Sequence, residues 1–337
     1  MPRRRYSLFG PFLPLTIAIG LLAAATSAVG QDTAPAAEAQ GEVGATDSGP
    51  AQPQAVHSWL EAQIALARRR FSCGPIDGVA GAQTLAALKA FQDSQKIPVT
   101  GRLDNATRLY LVLDSPPYTQ TTLTADDLAR LQPLSPTWLG KSQQTALEYE
   151  NALDLIAERS HASPGLIRRL NPGVDWAQPA AGTALTVPDV SLSVPGAKAA
   201  RIVIHLADHV LEVEDEDGEV VAHFPVSIAH MVEKRPEGTL QVISVAANPT
   251  YTFDPENFPE SDEAQQLGRK LILPPGPKNP VGVAWIGLDR PGYGIHGTPD
   301  PSHVGHTESH GCFRLANWDA QTLLDLAWIG LPVLVQP

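Results

Sequence analysis

Two residue types that do chemistry together, a thiol and several imidazoles, are concentrated in one stretch near the C-terminus. Tyr293-Gly294-Ile295-His296-Gly297-Thr298-Pro299 is followed by Ser309-His310-Gly311-Cys312-Phe313-Arg314. The stretch holds four histidines (His296, His303, His306 and His310) and one of the chain's two cysteines. A thiol is a useful nucleophile only as thiolate, and an adjacent imidazole can take its proton or hold it as an ion pair. Glycines on each side let backbone approach a substrate, and N–H groups around Cys312 can stabilise the oxyanion of a tetrahedral intermediate. The same residues admit other readings. A cysteine can be a small core residue, and four histidines with Glu308 could hold zinc. Against zinc, no helical His-Glu-x-x-His pair is present, and Pro301 and Gly305 interrupt the segment. On residue types and spacing alone, cysteine catalysis, a metal site and a structural role stay open.

The elements that must position these residues follow from hydrophobic periodicity. From Ala200 the period is two: Arg201 to Leu206, Val210 to Val213 and Val220 to Val226 read as strands, with Glu214 to Glu219 as a polar turn. Further strands fit Thr239 to Val245, Val283 to Leu288 and Val333 to Val335, and a helix fits Asn317 to Leu326. Residues 200–337 are therefore expected to form a mainly β domain with a helix near its end. Upstream, Trp59, Leu60, Ile64, Leu66, Leu85, Leu88 and Phe91 recur at helical spacing, with breaks at Gly74-Pro75 and Gly101. That predicts a small helical module over residues 56–113. Residues 114–144 read as a linker with one short helix near Ala125 to Leu131. In residues 145–190, Thr145 to Glu158 and Leu166 to Leu170 read as helices, and Thr183 to Val187 as a strand. The fold class expected is multidomain α+β.

Composition narrows the function classes. The chain has 337 residues, 43% hydrophobic, which is enough for real cores. Its 24 Lys and Arg against 36 Asp and Glu give a net charge of −12, which argues against nucleic-acid binding. Two cysteines exclude a disulfide-stapled scaffold and a thiolate metal cluster. Arg3-Arg4-Arg5, an apolar run from Leu13 to Ala25 and small residues to Gly30 read as a secretory signal peptide over residues 1–30. No later apolar run reaches the roughly 20 residues needed to span a bilayer. Residues 31–55, rich in Ala, Gly, Pro, Gln and acids, read as a disordered linker. Export, and hence a periplasmic location, is expected.

The stretch from Gly294 to Asp319 resembles the signature of the L,D-transpeptidase catalytic domain, also called YkuD: a His-Gly pair, then Ser/Thr-His-Gly-Cys. Here His296-Gly297 precedes Ser309-His310-Gly311-Cys312, with Cys312 sixteen residues after His296. The resemblance continues through Arg235-Pro236-Glu237-Gly238-Thr239, Asn248-Pro249-Thr250-Tyr251 and Leu273 to Pro280. It implies a β-sandwich or barrel-like domain with a helix, and no cofactor. It implies Cys312 as nucleophile and His296 as general base, oriented by the Gly297 carbonyl in place of a triad carboxylate. His310 and Gly311 match pocket positions, with Gly311 and Cys312 N–H groups serving the oxyanion. Ser309, Arg314 and Tyr251 are the substrate-binding candidates, and the Arg314 charge is expected to help depress the thiol pKa. His303 and His306 match variable positions. Phe313 stands where the family has an aliphatic residue, and Arg235-Pro236 where it has Thr-Pro.

Two upstream resemblances accompany it. Gly74-Pro75-Ile76-Asp77-Gly78, Thr84-Leu85, Ala87-Leu88, Phe91-Gln92 and Val99-Thr100-Gly101 resemble a peptidoglycan-binding domain. Leu166 to Pro172 and Gly182 to Pro188 resemble part of a lysin-motif module, without its usual early Gly-Asp pair. Together these imply acyl transfer on peptidoglycan: a thioester at Cys312 with loss of D-alanine from a stem tetrapeptide, then attack by a diaminopimelate amine. Alternatives on the same site are a hydrolase or attachment to a lysine of an outer-membrane lipoprotein. A third reading is a wall-binding protein without catalysis.

Overall fold

The computed structural model describes residues 53–194, 198–258, 261–305, 307–309 and 311–337, of which 307–309 by backbone alone. The signal-peptide reading and most of the tether fall outside these residues. The described chain belongs to one unit, Gly49–Pro337. Among the described residues no helix is long and apolar enough to cross a membrane.

The N-terminal half is built on short, well-capped helices. Helix α1 (Trp59–Ala67) starts at Ser58, whose hydroxyl accepts from the Glu61 N–H while the Glu61 carboxylate accepts from the Ser58 N–H. Helix α2 (Ala82–Ser94) buries Leu88 and Phe91, and α3 (Asn105–Tyr110) is capped by Asp104. Two buried glutamines fix the turns between them. Gln63 Oε1 accepts from Asp77 and Gly78, and Gln92 Oε1 accepts from Thr100 and Gly101. The Leu/Phe stripe is therefore core, as its spacing requires.

Residues 114–144 carry more structure than the single helix expected. Strand β1 (Tyr118–Thr122) precedes helices α4 (Ala125–Arg130) and α5 (Trp138–Gln143). Strand β1 pairs antiparallel with β2 (Ala184–Pro188), and helices α6 (Ala152–Arg159) and α7 (Pro164–Leu170) lie between them in sequence. The helix expected from Thr145 starts only at Ala152. Asn151 caps it, and Leu147 is drawn into backbone bonds with Pro275 and Lys278 instead. Asp127 closes the α4 cap, its carboxylate accepting from the Thr124 N–H and its own N–H donating to the Thr124 hydroxyl, and its ion pair with Arg159 at 2.6 Å ties α4 to α6.

The C-terminal half is one eight-stranded, mostly antiparallel sheet. Its strands are β3 (Arg201–His205), β4 (Val210–Glu214), β5 (Val220–Pro225), β6 (Gly238–Ala247), β9 (Ala284–Leu288), β10 (Gly294–His296), β11 (Phe313–Arg314) and β12 (Pro332–Gln336). The order is β11-β10-β9-β6-β12-β3-β4-β5, with β11/β10 and β12/β3 parallel. Alternation in β3, β4 and β12 places Ile202, Ile204, Leu211, Val213, Val333 and Val335 in the core. Helix α9 (Asn317–Leu326) covers it through Ala320, Leu323 and Leu326. Ser227, just beyond β5, exchanges both backbone hydrogen bonds with Arg314 of β11, 2.9 Å each. The two edges of the sheet thus meet, and the barrel-like expectation holds. A hairpin of β7 (Tyr251–Phe253) and β8 (Leu271–Leu273), with helix α8 (Asp262–Leu267), stands against it and packs on Leu147, Trp138 and Leu139.

The halves are docked through specific polar contacts. Ser72 N–H donates to the His223 carbonyl at 2.8 Å, and the Ser72 hydroxyl donates to Asp319 at 2.9 Å. Asn317 donates to the buried Glu158 carboxylate at 2.6 Å, and His161 stacks on Trp318 with ring centroids 5.3 Å apart.

Candidate active site

The short strand β10 places His296, and β11 places the residues after Cys312. Register pairs His296 with Arg314 in parallel and with Trp285 of β9 in the antiparallel direction. The Trp285 indole stacks on the His296 ring at 5.6 Å and 19°, which fixes the ring plane. His296 Nδ1 lies 2.6 Å from the Gly297 carbonyl oxygen. An oxygen there can only accept, so Nδ1 carries the proton and Nε2 is left with its lone pair. Gly297 has to be glycine: a Cβ there would stand 2.2 Å from Asn317 Oδ1. The same oxygen accepts from Val283 N–H and would lie 2.0 Å from a Cβ on Gly282, which has φ of +61°. Asn317, the first residue of α9, therefore wedges the backbone that carries the histidine.

His296, Gly311, Cys312, Arg314 and Tyr251 line one cleft of about 640 Å³. The Cys312 thiol is half-buried and lies 3.4 Å from the Gly292 carbonyl. Gly297 supports the histidine from behind rather than lining the cleft. His310 and the Ser309 side chain lie outside the described residues; the Thr307–Ser309 backbone pairs in parallel with Ile228–Ala229. His303 is exposed, with Nδ1 3.1 Å from an Asp300 carboxylate oxygen.

Several cleft residues were not singled out from the sequence. Trp285 and Tyr293 face the cleft from β9 and the β9–β10 turn, Lys234 from the loop before β6, and Trp138 from α5. Trp285 could have been found by extending the period-two reading of β9 to its partner strand. Nothing local marks Trp138, which stacks on Phe253 at 4.5 Å from more than a hundred residues away.

Residues 199–335 match the family model described as the L,D-transpeptidase catalytic domain. Residues 57–110 match one described as a "Putative peptidoglycan binding domain". The "Probable L,D-transpeptidase ErfK/SrfK" of Escherichia coli K12 is 30% identical over 216 residues, covering 62% of this chain and 68% of that protein. The chain belongs to the L,D-transpeptidase family. The "Probable L,D-transpeptidase YbiS" of the same strain is 33% identical over 166 residues, 48% of this chain and 53% of that one, so the chain spans about half its length. Among solved structures, an L,D-transpeptidase from Mycobacterium smegmatis is 22% identical with a TM-score of 0.33, covering 46% and 64% of the two chains. That likeness is too slight to bear on the fold.

Within this L,D-transpeptidase domain, burial governs the electrostatics. It pushes the His296 pKa down to about 4; the Gly297 hydrogen bond opposes that and the Arg314 charge adds to it. Burial pushes the Cys312 thiol up. A backbone bond with Gly294 and the Arg314 charge pull it down, as expected of Arg314, but burial outweighs both. The resting L,D-transpeptidase site therefore holds a thiol and a neutral imidazole, not a preformed ion pair. Such a pair acts by general-base removal of the thiol proton as the sulfur attacks. Burial also raises the Tyr251 phenol, so it stays protonated and available as a donor.

Proposed function

We propose that the protein crosslinks peptidoglycan by acyl transfer through Cys312. The observation that carries this reading is the neutral His296, its Nδ1 hydrogen held by Gly297 and its other nitrogen basic, in the same cleft as the thiol. Nε2 takes the thiol proton as sulfur attacks the carbonyl of the L-centre of diaminopimelate in a stem tetrapeptide. The N–H groups of Gly311 and Cys312 hold the oxyanion. His296 then delivers the proton to the departing amine, D-alanine leaves, and a thioester remains. The side-chain amine of a second diaminopimelate attacks the thioester and restores the thiol. Tyr251, Ser309, His310 and Arg314 hold the peptide backbone and carboxylates.

The setting fits that reaction. Residues 1–30 export the chain to the periplasm, residues 31–55 tether it, and the 56–113 module holds it on the wall. The 145–190 segment supplies a second glycan contact of lysin-motif type. Water, or the lysine of an outer-membrane lipoprotein, would use the same thioester. Incubation of the protein with tetrapeptide muropeptides separates these outcomes. Crosslinked dimers with released D-alanine are expected; tripeptide monomers alone would make it a hydrolase, and unchanged substrate would leave only wall binding.

A further inference from the structure

The cleft that holds Cys312 has a neighbour. Trp138, Pro280 and Arg314 line both it and a second recess of about 260 Å³. That recess is cationic: Lys141 and Lys278 face it together with Arg314. Its acid, Asp300, lies 3.1 Å from His303 Nδ1 and accepts from the Ser302 hydroxyl at 2.6 Å, so the three cations outnumber it. Lys278 Nζ donates to the Pro299 carbonyl at 2.8 Å and lies 5.5 Å over the Tyr149 ring. Lys141 Nζ lies 5.3 Å over Trp138. Among the described residues neither lysine has a carboxylate within ion-pair distance, although the buried Glu158 acts on Lys278 at longer range. Lysines held over aromatic faces at the rim of a concavity complement an anion that brings its own carboxylate oxygens.

We propose that this recess is a carboxylate subsite for the stem peptide, with Lys141 of helix α5 as its specificity-determining cation. This rests on the transpeptidase reading of Cys312. Arg314 follows Cys312 by two residues, about 6–7 Å along extended chain. A peptide whose reacting carbonyl sits at the thiol therefore needs to cross only the Trp138–Arg314 wall to place a carboxylate among the three cations. A stem tetrapeptide offers three such groups near its reacting bond: the α-carboxylate of its glutamate, the free carboxylate of its diaminopimelate and the terminal carboxylate of the departing D-alanine. Lys141 comes from residues outside both family matches, so substrate choice is set in part by the segment between the two recognised domains.

The test uses the full chain, Lys141→Met and Lys141→Arg, with four tetrapeptides: unmodified, and amidated singly at the glutamate, the diaminopimelate or the terminal D-alanine carboxylate. One charge-assisted hydrogen bond lost corresponds to about tenfold in binding. Lys141→Met is expected to raise KM for the unmodified peptide about tenfold with little change in kcat, and Lys141→Arg to restore it. One of the amidated peptides should show the raised KM with the parent and no further effect of Lys141→Met; which one identifies the carboxylate. Equal effects of Lys141→Met on all four peptides, or none, would overturn the subsite. Binding of the same peptides to Cys312→Ala is measured in parallel. Lys141-dependent binding without turnover in the parent contradicts the transpeptidase reading and supports the subsite.

Discussion

Burial acts on Cys312 and His296 so that both are uncharged at pH 7, the thiol raised and the imidazole lowered to about 4. The consequence is a specific pH profile. His296 is a base only while neutral, and it stays neutral until the pH nears 4. Acylation of Cys312 by a carbapenem, followed by intact mass, should therefore keep its rate from pH 7 down to about pH 5 and fall below that. An inflection near 6.5, where an unperturbed histidine titrates, would mean that the ring is solvated or charge-paired. That these two residues share one cleft was legible in the sequence because a His-Gly and a Ser-His-Gly-Cys at fixed spacing are local strings. Trp138, Lys141 and Trp285 were not, because packing against residues distant in sequence is what brings them to the cleft and its neighbouring recess. The protonation state was not legible either: spacing allows an ion pair or a neutral pair, and only burial decides.

Among the elements, strands β4 and β12 and helix α9 were readable because each buries one face and so alternates or repeats, and β3, β5 and β6 because their runs are rich in β-branched residues. Strands β10 and β11 place His296 and the residues after Cys312 yet are three and two residues long, too short for any period to show. Helix α5 was missed for the same reason: it is six residues long, starts at a Thr137 cap among prolines and buries no side chain completely. Tertiary packing, not propensity, sets such elements. The contact between β10 and α9 is the one most exposed to test. Gly297→Ala would place a Cβ 2.2 Å from Asn317 Oδ1, so either the His296 carbonyl support or α9 must move. A displacement of about 1 Å at a catalytic group costs on the order of 100-fold. Gly297→Ala should lower kcat by about that factor, with the protein still folded by circular dichroism; activity within threefold of the parent would show that the histidine does not depend on this carbonyl.

In the whole molecule the N-terminal half is not a pendant anchor but part of the catalytic body, joined to it by buried polar pairs. One of them reports on the docking. Asp319 is buried with, among the described residues, only the Ser72 hydroxyl on its carboxylate, and burial raises its pKa to about 8. The folded state then keeps a proton that the unfolded chain loses near pH 4, so stability declines as pH rises from 4 to 8. His296 and His161, both lowered to about 4 by burial, act the other way, since the unfolded chain takes up their protons below 6.5. Between pH 6.5 and 8 the Asp319 effect should cost about 2 kcal/mol. Urea unfolding of the parent should show that loss and Asp319→Asn should remove it; an equal slope in both would place the carboxylate in solvent. The central claim, that Cys312 carries the acyl group, is tested most directly by intact mass of the full chain mixed with a stem tetrapeptide. The parent should gain the mass of the tripeptide acyl group, with D-alanine released, and Cys312→Ala should gain none and form no crosslinks. An adduct or crosslinking at the parental rate in Cys312→Ala would contradict it.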